Sequence, residues 1–304
     1  MRLVAAAALL FALAAAAADQ PAAAFVVGAL RRDGAVVPFA AFDGKHWSSP
    51  WPLPRLERPI PINLNSIPKS WWGKAGPRET WQAWIDGAAQ TLQVRQPDWV
   101  AVHCTRQVAL RTDYHPAEPP PPPTAQPFPK DGLAVSPPHA LEPIAILSPG
   151  ATELLPLGPT LYDAFNDAER ETASRYSDPM PQKQREKYDP GIEAAYAYGT
   201  DPRTYYVESS RAYRSPGGDG CAIAFGTGWI VKRGETYTAV ATTVDIVPCD
   251  RYGATYMLPF GVMTLNGHTY WLAQFSGWAH ERFVVVDLKP KEVEAVVNVW
   301  GGGC

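Results

Sequence analysis

The sequence predicts a mainly β protein built of antiparallel sheets, and three observations carry that reading. Asp-Gly and Asn-Gly pairs recur between strand-like runs, where they supply the positive φ angles of two-residue hairpin turns. The runs are rich in β-branched and aromatic residues, which suit a pleated surface. With 32 Pro and 24 Gly in 304 residues, little of the chain is left for long helices. Sheets assembled from repeated hairpins suggest an irregular β-propeller as the first choice, with two packed β-domains as the alternative and one short surface helix.

In chain order, Asp33-Gly34, Asp43-Gly44, Asp86-Gly87 and Asn266-Gly267 sit between predicted strands. Arg233-Gly234 has weaker turn chemistry but is well placed, whereas Asp131-Gly132 and Asp219-Gly220 follow irregular, Pro-containing stretches. Strands are predicted over residues 35–42, 80–85, 229–232, 236–247 and 268–275. The nearly continuous apolar run 283–288 predicts a strand buried on both faces, and 293–300 a final strand. A helix is predicted over 160–175, because Leu161, Phe165 and Ala168 fall at helical spacing. Asp163, Asp167, Glu169 and Arg170 are turned away from that face. A faint repeat aligns 28–44 with 261–277 without a gap, matching Gly28 to Gly261, Asp33 to Asn266, Gly34 to Gly267 and Phe42 to Phe275.

Residues 1–18 read as a signal peptide, with Arg2 as the positive n-region and an apolar stretch that ends in small Ala residues before Asp19. An N-terminal β unit then spans 19–115. Residues 116–130, with prolines at 119–123, form a linker or exposed loop, since such a run favours extended polyproline II and cannot enter a sheet interior. A C-terminal β unit spans 131–304, the alternative being one domain continuous with the first. No later stretch is long and apolar enough to span a bilayer, so the mature chain is expected to be secreted or periplasmic.

The composition excludes a charge-rich disordered chain: 46% of residues are hydrophobic and 19% charged. A net charge of −3, with no cluster of Lys and Arg, gives no reason to expect nucleic-acid binding. The even count of four cysteines in an exported chain favours disulfides over a metal site, there being no C-x-x-C or H-x-H spacing. The preferred pairing is Cys221 with Cys249, which flank a hairpin, and Cys104 with Cys304. Cys221 and Cys249 lie three residues off the register of a turn at Arg233-Gly234, a gap that a bulge or a longer turn would close. The rival pairing joins Cys249 to Cys304 and Cys104 to Cys221. Neither a metal nor another cofactor is expected.

No nucleophile motif is present: neither G-x-S-x-G, nor H-E-x-x-H, nor a P-loop. Two readings of function remain, and whether the chain is an enzyme is open. The first is a non-enzymatic binding protein whose aromatic-bearing loops take a ligand or partner, a glycan or a protein. Trp71-Trp72, in a loop-like stretch between Pro68 and Pro77, is its candidate platform. The alternative is a glycosidase-like hydrolase with paired carboxylates drawn from Glu208, Asp245 and Glu281. Each of these acids stands in or beside a strand-like run, where burial would raise its pKa.

Overall fold

Side chains alternate along β1 (Phe25–Arg31), so Phe25, Val27 and Ala29 face one way and Val26 and Leu30 the other, and all five are buried. A strand apolar on both faces needs cover on both, and the chain supplies it by closing a barrel. The computed structural model describes residues 23–57, 60–76, 78–85, 87–175, 182–213 and 222–304. The next strands are β2 (Ala35–Phe42), β3 (Trp47–Ser48), β4 (Thr80–Ile85), β5 (Ala88–Val102), β6 (Thr105–Thr112) and β7 (Lys130–Ser136). Six of them close in the order β1-β7-β4-β5-β6-β2, with β2 pairing back to β1 and β3 added outside β2. All six send apolar side chains into one interior cluster, among them Leu30, Val36, Trp81, Leu92, Leu110 and Ala134. The Pro-rich segment joins β6 to β7 and is therefore a loop of this barrel, whose last strand ends at Ser136.

Residues beyond the barrel form β8 (Ala145–Leu147), α1 (Gly158–Ala173), β9 (Gly191–Tyr198), β10 (Arg203–Tyr213), β11 (Ala222–Arg233), β12 (Thr236–Pro248), β13 (Tyr256–Leu265), β14 (His268–Ser276), β15 (His280–Lys289) and β16 (Glu292–Gly303). They build a four-stranded sheet, β13-β14-β15-β16, and a five-stranded sheet, β12-β11-β10-β9-β8, both antiparallel. The four-stranded sheet is covered on both faces. Leu272, Phe283 and Val285 pack on the outer barrel residues Phe25, Val27 and Phe39, while Trp271, Val284 and Val286 pack on Tyr206 and Trp229 of the five-stranded sheet. This is why 283–288 reads as a continuous apolar run. The far face of the five-stranded sheet carries α1, with Phe165 against Ala224 and Val244. The described residues thus form a mainly β protein of barrel, sandwich and helix, without a ring of four-stranded blades.

The predicted helix is present, but its buried stripe runs at four-residue intervals through Leu161, Phe165, Glu169 and Ala173. Glu169 therefore does not point away. It is fully buried, accepts hydrogen bonds from Arg211 Nη1 and Tyr213 Oη, each at 2.7 Å, and forms an ion pair with Arg185 at 3.2 Å. A carboxylate tolerates such burial only when charge and hydrogen bonds replace water.

The two halves of the faint repeat are the β1–β2 and β13–β14 hairpins. The aligned Gly28 and Gly261 both sit where the register shifts, at β-bulges. Their turns differ. Asn266 and Gly267 have φ of 50° and 79°, the two positive values of a type I′ turn. In the other hairpin Gly34 is positive, at 80°, and its N–H bonds to Arg31 O at 2.9 Å, closing a longer turn. The β11–β12 turn falls at Gly234-Glu235, since Arg233 pairs with Thr236, and one bulge lies between Trp229 and Ile230. Together the shifted turn and the bulge bring Ala222 opposite Pro248, the register that the hairpin reading of the cysteines requires.

Cys104, in the β5–β6 turn, is joined to Cys304 beyond β16, with Cα atoms 5.0 Å apart. The Gly-rich end of β16 permits this approach. A Cβ on Gly302 would lie 2.6 Å from Val102 Cγ1 and 2.8 Å from Thr105 Oγ1. Cys249 is also disulfide-bonded. Cys221, Asp219-Gly220 and the proposed signal peptide lie outside the described residues.

Candidate functional site

The three candidate carboxylates have three different environments. Glu281 is buried on the barrel side of its sheet, with both oxygens bonded to Lys130 Nζ at 2.8 and 2.7 Å. Burial pulls the Lys130 ammonium below its ordinary value even though Glu281 supports it. Glu281 is thus occupied by a base, and it faces away from the other two. Glu208, on β10, is 1% exposed and accepts the Met257 N–H at 2.6 Å. Among the described residues no cation reaches it. Burial, with the nearby Glu193 carboxylate in a lesser role, raises its pKa to about 7. Asp245, on β12, is exposed.

Glu208 and Asp245 nevertheless share one face of one sheet. Glu208 pairs with Thr227, Thr227 with Thr243, and Asp245 lies two residues past Thr243. The arginines on neighbouring segments serve elsewhere: Arg211 holds Glu169, and Arg251 holds Glu193 and the Tyr256 hydroxyl. Arg214 lies outside the described residues.

Trp71 and Trp72 do not form an exposed platform. Trp72 is 2% exposed within the barrel cluster, and Trp71 is half-buried against it. Both pack edge-on to Trp51, with ring centroids 5.2 Å apart for Trp72 and 5.5 Å for Trp71. The loop that carries them plugs the barrel, whose interior would otherwise open to water. Burying so large an apolar surface favours that position over solvent.

The exposed aromatic pair is elsewhere. Tyr252, between β12 and β13, is 59% exposed, and Trp278, between β14 and β15, is 65% exposed. Their ring centroids are 6.0 Å apart, with planes tilted by 58°. A hollow of about 120 Å³ opens between the roots of these two loops. Thr255 and Phe275, three residues from Tyr252 and Trp278 respectively, line it together with Phe225, Thr227, Thr243 and Asp245. Thr227 Oγ1 and Thr243 Oγ1 are 3.0 Å apart and share a hydrogen bond. Tyr206, 2% exposed, lines the hollow too. Its hydroxyl lies beside Thr227 but makes no well-formed hydrogen bond among the described residues.

Tyr252 and Trp278 were legible only as turn residues, through Asp250 and Gly253 around the first and Gly277 before the second. Trp72 also stands in a polar loop with no strand phase, so local sequence does not separate it from these two; the surroundings each meets on folding do.

A larger cleft, of about 340 Å³, lies between the barrel and the sandwich and is lined by Trp84, Leu141, Ile146, Leu258 and Phe260. The charged residues at its edge are engaged, Lys130 by Glu281 and Asp131 by Arg32 and Tyr114. Among the described residues, no group of three or more His, Cys, Asp or Glu side chains could hold a metal ion, and no helix is long and apolar enough to cross a membrane. Comparison with protein-family models, curated proteins and solved structures finds no match.

Proposed function

We propose that this is an exported, non-enzymatic binding protein whose ligand or partner docks on the aromatic-bearing loops at the end of the sandwich. The observation that carries the reading is the exposed contact of Tyr252 with Trp278 beside a hollow that holds an exposed carboxylate. Large rings left in water beside orienting polar groups are the usual anchors of recognition. Export is supported by Arg2 and the apolar run before Asp19, and by the Cys104–Cys304 disulfide, which needs an oxidising compartment. An array of glycans, peptides and cell-surface material tests the binding role. Capture that W278A and Y252A both lose is expected. Absence of any capture, together with hydrolytic turnover, would contradict it.

A second reading, hydrolysis with Glu208 as the acid and Asp245 as the base, draws support from their shared face and from the raised pKa of Glu208. The burial of Glu208 and its bond from Met257 weigh against it, because a catalytic acid must reach its substrate. Turnover of a glycoside panel that E208Q abolishes would favour this second reading. Turnover that survives E208Q would remove it.

A further inference from the structure

We propose that the Tyr252–Trp278 end is a saccharide site, in which a neutral sugar ring stacks on the exposed indole and turns its hydroxyl edge into the hollow toward Asp245 and Thr243. This rests on the binding role proposed above and names the class of ligand.

Three features of the site converge on that class. The aromatic faces are exposed, at 65% for Trp278 and 59% for Tyr252, and tilted by 58°, so they offer two stacking surfaces set at an angle. A pyranose presents an apolar C–H face to one such ring while its rim of hydroxyls stays polar, and an amphipathic aromatic side chain satisfies both needs. The hollow, at about 120 Å³, is well below the ~300 Å³ at which pockets begin to enclose a whole small molecule. It therefore admits the edge of a ligand whose body lies outside on the rings.

The polar groups of the hollow suit hydroxyls. Asp245 is an exposed acceptor, and the Thr227–Thr243 pair spends one donor on itself and keeps further lone pairs and one proton for a ligand. Buried Tyr206 adds a hydroxyl beside Thr227 that makes no well-formed hydrogen bond among the described residues. The charge argues for a neutral sugar. Asp245 repels anions, and among the described residues Arg251, next to Tyr252, is taken by Glu193 and Tyr256.

Isothermal titration of the full mature chain with neutral hexasaccharides of glucose, N-acetylglucosamine and mannose, beside a polyuronate, tests the class. At least one neutral sugar should bind. W278A should weaken it by about tenfold or more and D245A by about fivefold, with unchanged melting temperatures showing that both variants are folded. Two results would overturn the saccharide class while leaving the binding role intact: Trp278-dependent capture of peptides with none of the neutral sugars bound, or a polyuronate that binds more tightly than every neutral sugar. Sugar binding unchanged in folded W278A and Y252A would overturn both.

Discussion

Two aromatic pairs lie on loops of this chain, and they have opposite fates. Trp71-Trp72 closes the barrel, with Trp72 2% exposed and packed on Trp51. Tyr252 and Trp278, brought together from two loops, remain 59% and 65% exposed. The difference lies in the neighbourhood rather than in the residue type. The first pair faces an apolar barrel interior that needs a plug. The second stands on loops whose roots, at Thr255 and Phe275, line a hollow with the polar residues Asp245, Thr227 and Thr243. The first pair should therefore matter to stability and the second to binding.

The largest expected effect concerns the link between the two regions. The Cys104–Cys304 bond ties the barrel to the sandwich across 200 residues of chain. Its loss in C104S/C304S should cost about 5 kcal/mol in the chain-entropy model, read by denaturant unfolding, while the affinity of the folded form is unchanged. Next, W72A should cost about 3–5 kcal/mol through the cavity it opens in the barrel. A W72A protein as stable as the parent would break the comparison at its buried end.

The third effect is a pH dependence that belongs to the sandwich. The pKa of Glu208 is raised by burial from 4.5 to about 7, so the folded state favours its neutral form. The stability this gives is fully present below about pH 4.5 and is lost as the pH rises to about 7. At about 1.4 kcal/mol per pH unit, the loss is about 3 kcal/mol. E208Q should flatten that slope in chemical unfolding followed between pH 4 and pH 8. A slope unchanged in E208Q would assign it to another group. The smallest effect on stability should come from W278A, within about 0.5 kcal/mol of the parent, because the ring is already in water.

Much of the β architecture was legible, because a strand's phase and its turn residues are local. Residues 35–42 and 80–85 are strands at those limits, and 283–288 is buried on both faces as its apolar run implied. Barrel closure was not legible. It depends on β7 returning past the Pro-rich loop to pair with β1 and β4, a long-range choice with no local mark. β5 and β6 were missed because β5 carries Pro97 and a run of polar residues, which weaken its strand pattern. In the candidate site, acids in strand-like runs could be picked out, but their partners could not. Glu281 meets Lys130 from 151 residues away, Glu208 meets no base among the described residues, and helical spacing alone did not show that Glu169 would find Arg211 and Tyr213. The exposed pair is assembled by folding from turns 26 residues apart, so no window of sequence contains it.

The most direct measurement is a paired titration of a captured neutral oligosaccharide against W278A and W71A, each first shown to be folded. W278A is expected to lose about tenfold or more in affinity while W71A stays within about twofold of the parent. The reverse pattern, with W71A impaired and W278A unchanged, would place recognition at the barrel plug and contradict a binding site at Tyr252 and Trp278.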